Sequence, residues 1–203
     1  MLSLNNLSCK RGNKILFKNL SYTIGDCCIL IIRGANGIGK TSLLNMIACL
    51  LEPYEGEILY ANEIVTGEYF EEYCDIIQYI SHKSAMKTSL TVEENLKFWA
   101  SVRDTKSVVE AAINYFELDE YRDIEFGRLS QGWQKRVSLA RLMLCQSEIW
   151  LLDEPYTNLD SNARHRLDEL IKARSQQGGS IIMTTHEDVK FDDFNEINIE
   201  DWV

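Results

Sequence analysis

The sequence is short of positive charge: 21 lysines and arginines stand against 31 aspartates and glutamates, for a formal net charge of −10. Phosphate backbones are held by surplus Lys and Arg, so this balance argues against nucleic acid as a main partner and against a polybasic membrane anchor. No apolar run reaches the roughly 18 residues needed to span a bilayer, and the N-terminus lacks the basic start and apolar stretch of a signal peptide. The expectation is a protein that is soluble and intracellular by itself, with other subunits supplying any membrane part. The six cysteines (Cys9, Cys27, Cys28, Cys49, Cys74 and Cys145) include no C-x-x-C pair. Four sit in apolar surroundings, as reduced core thiols do, and nothing supports a metal site built from them. Internal repeats and low-complexity segments are also missing. What remains is 203 residues, enough for one compact domain with a sizeable core.

The most informative stretch is Gly34-Ala35-Asn36-Gly37-Ile38-Gly39-Lys40-Thr41, which matches the phosphate-binding pattern G-x-x-x-x-G-K-[ST]. Before it, Cys27 to Ile32 is a short apolar run of the kind a buried parallel strand shows. After it, Leu43, Ile47 and Leu50 recur at helical spacing from Ser42 onward. Strand, glycine loop and helix are what the chemistry requires. Glycines let main-chain N–H groups curl around phosphate oxygens, and the helix N-terminus adds about half a positive charge. Lys40 is placed to reach the β- and γ-phosphates, and the Thr41 hydroxyl to ligate Mg²⁺.

Elsewhere the pattern alternates between strand and helix. Leu2, Leu4 and Leu7, then Ile15, Phe17, Leu20, Tyr22 and Ile24, read as two strands joined at Gly12-Asn13. Glu57–Tyr60 and Glu63–Val65 read as a second hairpin about Ala61-Asn62. Glu68–Tyr73 suggests a short helix and Asp75–Ile80 a buried strand. From Thr91 the period is helical: Thr91-Val92-Glu93-Glu94 is a capping box, followed by Leu96, Trp99 and Ala100 on one face. Val108, Val109, Ala112, Ile113 and Phe116 form another amphipathic helix. Residues 88–145 therefore read as a helical subdomain inserted into a core of residues 1–87 and 146–203. The core resumes with the apolar strand Ile149–Leu152, a helix over 161–174 stopped at Gly178-Gly179, and a strand from Ser180 ending at His186. The acidic remainder reads as a short strand or a peripheral tail. The fold class is α/β, a P-loop NTPase core with a mixed sheet, an antiparallel β subdomain and an inserted helical subdomain.

Asp153 and Glu154 end the apolar strand begun at Ile149. A carboxylate at a parallel strand's tip beside a phosphate loop is where a Mg²⁺ ligand is needed, and Asp153 suits that role. Glu154 is placed to polarise water attacking the γ-phosphate, a role worth about 10²–10⁴-fold in rate. Ser130, followed by Gln131-Gly132-Trp133, is a good N-cap, and such a helix start is either a second anion site or an ordinary cap.

In this order the motifs resemble the ATP-binding subunit of ABC transporters, over nearly the whole chain. The signature corresponds to Leu129-Ser130-Gln131-Gly132-Trp133, the Walker B strand to Ile149–Asp153 with its catalytic glutamate at Glu154, the D-loop to Asn158-Leu159-Asp160 and the switch histidine to His186. The sequence departs from the family in three places. Gln131 and Trp133 replace a Gly and a Gln of the signature, His82 stands where the family carries a glutamine, and Arg11 stands near where an aromatic stacks on adenine. His82 either takes over the glutamine's sensing of Mg²⁺ and water or makes a plain contact; Arg11 either stacks on a base or is an exposed turn residue.

Within the family, Tyr79-Ile80-Ser81-His82 through Leu96, the Asp153–Asp160 stretch and the short length are similar to the haem-exporter ATPases of cytochrome c maturation. The resemblance implies ATP hydrolysis with Mg²⁺, ATP held by Gly34 to Ser42, and a second copy arranged head to tail. Ser130 and Gly132 of one copy would then close over ATP on the other, with His186 on the γ-phosphate. It further implies integral membrane subunits as partners, contacted through residues 82–90, and a place on the cytoplasmic side of the inner membrane. Other readings are an ATPase of another ABC system or a soluble ABC ATPase of DNA repair or translation, which usually carries two cassettes, coiled-coil insertions or basic surfaces. A small-molecule kinase would lack the signature helix and D-loop, and a GTPase would need an Asn-Lys-x-Asp that is absent.

Overall fold

The computed structural model describes residues 1–102, 105–145 and 147–203. They form two compact units. The first comprises Met1–Tyr79, Ser147–Asp153 and Arg174–Val203; the second comprises Ile80–Gln146 and Glu154–Ala173. The second unit thus takes in residues 80–87 and 154–173 beside the helical stretch expected over 88–145.

In the first unit, β1 (Leu2–Arg11) and β2 (Lys14–Ile24) pair antiparallel across a turn at Gly12-Asn13. Leu2, Leu4 and Leu7 all face the core, at 2%, 1% and 0% exposure, although their spacing jumps from two to three. The jump is absorbed by a bulge at Asn6, whose φ of 50° lets the strand slip one residue and keep its apolar face inward. Asn19, at φ 53°, does the same between Phe17 and Leu20. β4 (Glu55–Tyr60) and β5 (Glu63–Ile64) complete this antiparallel sheet in the order β2-β1-β4-β5.

The other sheet of this unit has the order β6-β7-β8-β3-β9: β6 (Ile77–Ile80), β7 (Ile149–Asp153), β8 (Ser180–Thr184), β3 (Ile29–Arg33) and β9 (Asn195–Asn198). β7–β8, β8–β3 and β3–β9 pair parallel. β7 and β8 are buried along their whole length, as apolar strands covered on both faces must be. The parallel register brings the C-terminal ends of β3, β7 and β8 to one edge, where the loop after β3 lies.

Helix α1 (Lys40–Ile47) follows that loop, and α2 (Phe70–Asp75) precedes β6. α1 is shorter than its apolar spacing suggests. Cys49 takes a left-handed φ of 55°, which ends the helix, and Leu50 is 69% exposed instead of joining Leu43 and Ile47 in the core. The acidic C-terminus is no loose tail: β9 adds an edge strand beside β3, and a 3₁₀ turn over Ile199–Trp202 buries Ile199 completely.

The second unit contains α3 (Val92–Val102), α4 (Val109–Tyr115), α5 (Gln131–Ala140) and most of α6 (Ser161–Gln176). The capping box opening α3 forms in both directions: Thr91 N–H donates to Glu94 Oε2 at 2.8 Å, and Glu94 N–H to Thr91 Oγ1 at 3.1 Å. Asn95, 1% exposed, anchors the preceding loop by accepting from Lys87 N–H and donating to the carbonyls of Lys87, Leu90 and Thr91. Ala112, Ile113 and Phe116 are fully buried, as the amphipathic spacing requires. No described helix is long and apolar enough to cross a membrane.

Candidate nucleotide site

The loop Gly34–Gly39 leaves the end of β3 and enters α1, so the main-chain N–H groups of the first helical turn have no partner within the helix. Gly39, at φ 125°, is the N-terminal flank of α1, and no side chain caps this end. An uncapped helix start on a glycine loop is an anion cradle, with donors and dipole both facing the ligand.

Lys40 is 8% exposed, yet its ammonium is fully engaged. Nζ donates to the carbonyl oxygens of Gly34 at 2.7 Å and Ala35 at 3.2 Å, and lies 3.0 Å from His186 Nε2. Asn36 Oδ1 lies 2.9 Å from the same Nε2. Lys40, Asn36 and His186 thus meet at one point, although His186 follows Asn36 by 150 residues.

Beside them, Thr41 Oγ1 donates to Asp153 Oδ2 at 2.9 Å. Asp153 is 2% exposed, and its other oxygen accepts from Thr184 Oγ1 at 2.7 Å. The carboxylate accepts a hydrogen bond at each oxygen, and its oxygens are hard donors. A hydroxyl and a carboxylate of this kind fit Mg²⁺, which takes few protein ligands and keeps waters. Burial, with the Asp153 carboxylate nearby, pushes the Tyr79 phenol well above its ordinary value, so that hydroxyl stays protonated. Ser42 sits one residue on, hydrogen-bonded to the buried Cys9 thiol, whose burial raises its pKa. Ala35 N–H donates to Glu200 Oε1 at 2.9 Å, so the loop's second residue is held by the C-terminal turn.

The other expected residues are grouped in the second unit. Ser130 caps α5, accepting from Trp133 N–H at a long 3.5 Å, and Gly132 lies in the helix's first turn. The two signature departures have partners here. Gln131 Oε1 accepts from Asn158 Nδ2 at 3.3 Å, tying the signature to the D-loop position. Trp133 stacks on Tyr121, with ring centroids 4.0 Å apart, and Arg136 lies 4.5 Å from its ring. The Trp is therefore accommodated by an aromatic and a guanidinium rather than by distorting the helix. Glu154 takes φ 45°, a sparsely populated conformation for a non-glycine residue, and its carbonyl accepts from Lys135 Nζ at 3.0 Å. His82 is exposed and lines a cavity of about 260 Å³ with Gln131, Lys135, Ser138 and Asn158. Arg11 is exposed at the end of β1.

Thr184, Lys135 and Glu200 were not singled out in the sequence. Thr184 had a usable signal, as a hydroxyl residue ending an otherwise apolar strand. Lys135 and Glu200 had none, because each acts on a carbonyl or N–H whose position only the folded chain defines.

Known proteins resemble this chain over most of its length. The family described as ABC transporter matches residues 17–157. The cytochrome c biogenesis ATP-binding export protein CcmA of Wolbachia pipientis is 41% identical over 203 residues, covering 100% of this chain and 98% of its own. CcmA of Rickettsia bellii is 44% identical over 186 residues, covering 92% and 93%, and that of Haemophilus influenzae 36% over 201 residues, covering 98% and 94%. Among solved structures, an ABC transporter ATP-binding protein from Pyrococcus furiosus superposes with a TM-score of 0.83 at 27% identity, covering 99% of this chain and 98% of that one. The ATP-binding cassette MJ0796, solved as a dimer in a post-hydrolysis state bound to ADP and Pi, gives 0.81 at 25% identity, covering 92% and 88%.

Proposed function

The chain belongs to the ABC transporter family, and from that premise we propose that it is the ATP-hydrolysing subunit of a cytochrome c biogenesis export system. The observation that carries this is similarity at about two residues in five, end to end, to export proteins of that name. The loop, Thr41, Asp153 and His186 gathered in one place supply the chemistry such a subunit needs.

In this reading the N–H groups of Gly37 to Ser42 receive the ATP phosphates and Lys40 exchanges its loop carbonyls for phosphate oxygens. Thr41 and Asp153 would hold Mg²⁺, which when bound would neutralise charge on the phosphate oxygens. Glu154 accepts a proton from the attacking water, and His186 bonds the γ-phosphate. Dimeric relatives support a second copy, whose Ser130 and Gly132 would complete the site head to tail. Residues 82–90 are the surface offered to integral membrane subunits on the cytoplasmic face of the inner membrane. By resemblance those subunits handle haem, and ATP turnover here frees a haem-loaded chaperone; no residue of this chain need touch haem.

The test is to purify Glu154→Gln protein from its native membranes with ATP present and identify what accompanies it. Haem-handling membrane subunits are expected. A permease for any other solute would sink the assignment to cytochrome c biogenesis while leaving the ATPase reading intact. Separately, Lys40→Ala should lose ATP affinity by calorimetry.

A further inference from the structure

Arg33 is the last residue of β3, one place before the phosphate loop, and it belongs to none of the motifs described above. Its side chain is 22% exposed and makes three hydrogen bonds. Nη1 donates to the carbonyl oxygen of Thr185 at 2.7 Å and to that of Glu187 at 2.9 Å. Nε donates to Glu196 Oε2 on β9 at 3.0 Å. Thr185 and Glu187 are the neighbours of His186 on either side. A single guanidinium nitrogen therefore fixes the main chain both before and after the histidine, while Glu196 on the next strand holds the guanidinium in place.

β8 ends at Thr184, so its ladder does not extend to this segment, and the Thr185 hydroxyl, accepting from Glu187 N–H at 3.0 Å, stabilises only a local turn. The ring nevertheless has to arrive within hydrogen-bond reach of the loop, as its 3.0 Å approach to Lys40 Nζ shows. A residue rooted at the end of β3 can enforce this, because β3 also carries the loop itself. We propose that Arg33 is the positioning residue for His186: it references the histidine's main chain to the strand that delivers the phosphate loop. The fork geometry matters. Arg presents donors in a rigid plane that serves two carbonyls and a carboxylate together, whereas a Lys in the same place is a single flexible point.

The proposal rests on the reading of His186 as the γ-phosphate contact, and it makes a prediction that a merely structural arginine would not. Arg33 touches none of the loop's N–H groups, so its loss should act on turnover and leave ATP binding alone. Misplacing a reacting group by about an ångström costs on the order of 10²-fold. The experiment is a cycle of ATP turnover measurements on wild type, Arg33→Ala, His186→Ala and the double variant, each assembled with its membrane partners, with Arg33→Lys as a milder variant and thermal melting to confirm folding. Arg33→Ala should lower kcat about 10- to 100-fold with KM for ATP within about twofold, and Arg33→Lys should fall between it and wild type. In the His186→Ala background, removing Arg33 should cost no more than about twofold. Undiminished kcat in Arg33→Ala, a loss in the double variant equal to the product of the two single losses, or a loss confined to KM would each overturn the proposal. His186→Ala turning over at the wild-type rate would instead remove the reading of His186, and that result is seen without reference to Arg33.

Discussion

Replacing Gly39 by alanine probes the phosphate loop where backbone and packing both constrain it. Gly39 sits at φ 125°, a conformation that L side chains rarely adopt, and forcing one there costs about 1–3 kcal/mol. The added β-carbon would also stand 3.0 Å and 3.1 Å from two ring carbons of Phe17 and 3.4 Å from Leu16 Cβ. Phe17 is 0% exposed and cannot swing away, so overpacking of about 1–3 kcal/mol is added. A total of about 4 kcal/mol corresponds to a melting point lower by about 8–16 °C for a chain of this size. Gly37 isolates the first cost from the second: its φ is 79°, but nothing lies within 4 Å of a β-carbon there. Gly37→Ala should therefore cost about 1 kcal/mol, or about 2–4 °C. The assay is thermal melting of the nucleotide-free protein, followed by ATP titration by calorimetry. If Gly39→Ala melts no lower than Gly37→Ala, the contact with Phe17 is not the constraint claimed for it.

Asp153→Asn keeps an acceptor for one threonine hydroxyl, and the other can rotate to accept from the new NH₂, so melting should change little. The charge that favours Mg²⁺ is gone, and the Mg²⁺-dependent gain in ATP affinity should vanish in calorimetry, with turnover lower by at least about 10²-fold; a Mg²⁺ response like wild type would refute the ligand assignment. Arg136, 6% exposed, bonds Glu117 at 2.9 Å and Asp160 at 2.5 Å, but those carboxylates are 41% and 61% exposed and stay solvated without it, so Arg136→Met should cost only about 1 kcal/mol in urea unfolding. Arg136 holds the Glu117 carboxyl below its ordinary value, and Ala163 N–H together with Arg136 does the same for Asp160. Lowered folded-state values mean stability that is present above the ordinary carboxylate range and lost as pH falls through the lowered ones. Wild type should lose that increment in acid, and Arg136→Met should show a flatter acid limb; identical limbs would contradict the pairing.

Much of this site was legible because its parts are local. A glycine loop between an apolar run and a helix specifies its own geometry, and Asp153 closing an apolar strand points to the same sheet edge. The strands of the first sheet were equally readable, even across the bulges, because Leu2, Leu4 and Leu7 stay apolar wherever the chain slips. Periodicity misled at Leu50, which continues the helical spacing of Leu43 and Ile47 but lies past the left-handed Cys49. Long-range hydrogen bonds to the main chain were illegible. Glu200 reaches Ala35 across 165 residues, and Arg33 reaches the carbonyls beside His186 across roughly 150, only because β9 and β8 flank β3. Such bonds recognise a backbone position rather than a residue type, so the sequence carries no pattern for them.

The central claim is that ATP turnover by this chain serves cytochrome c biogenesis, and covalent haem attachment in cells tests it most directly. Cells whose only copy carries Glu154→Gln should accumulate the protein at normal levels and contain haem-free c-type cytochromes, detected by loss of the haem stain on denaturing gels. Holocytochrome c at the wild-type level in those cells would contradict the account.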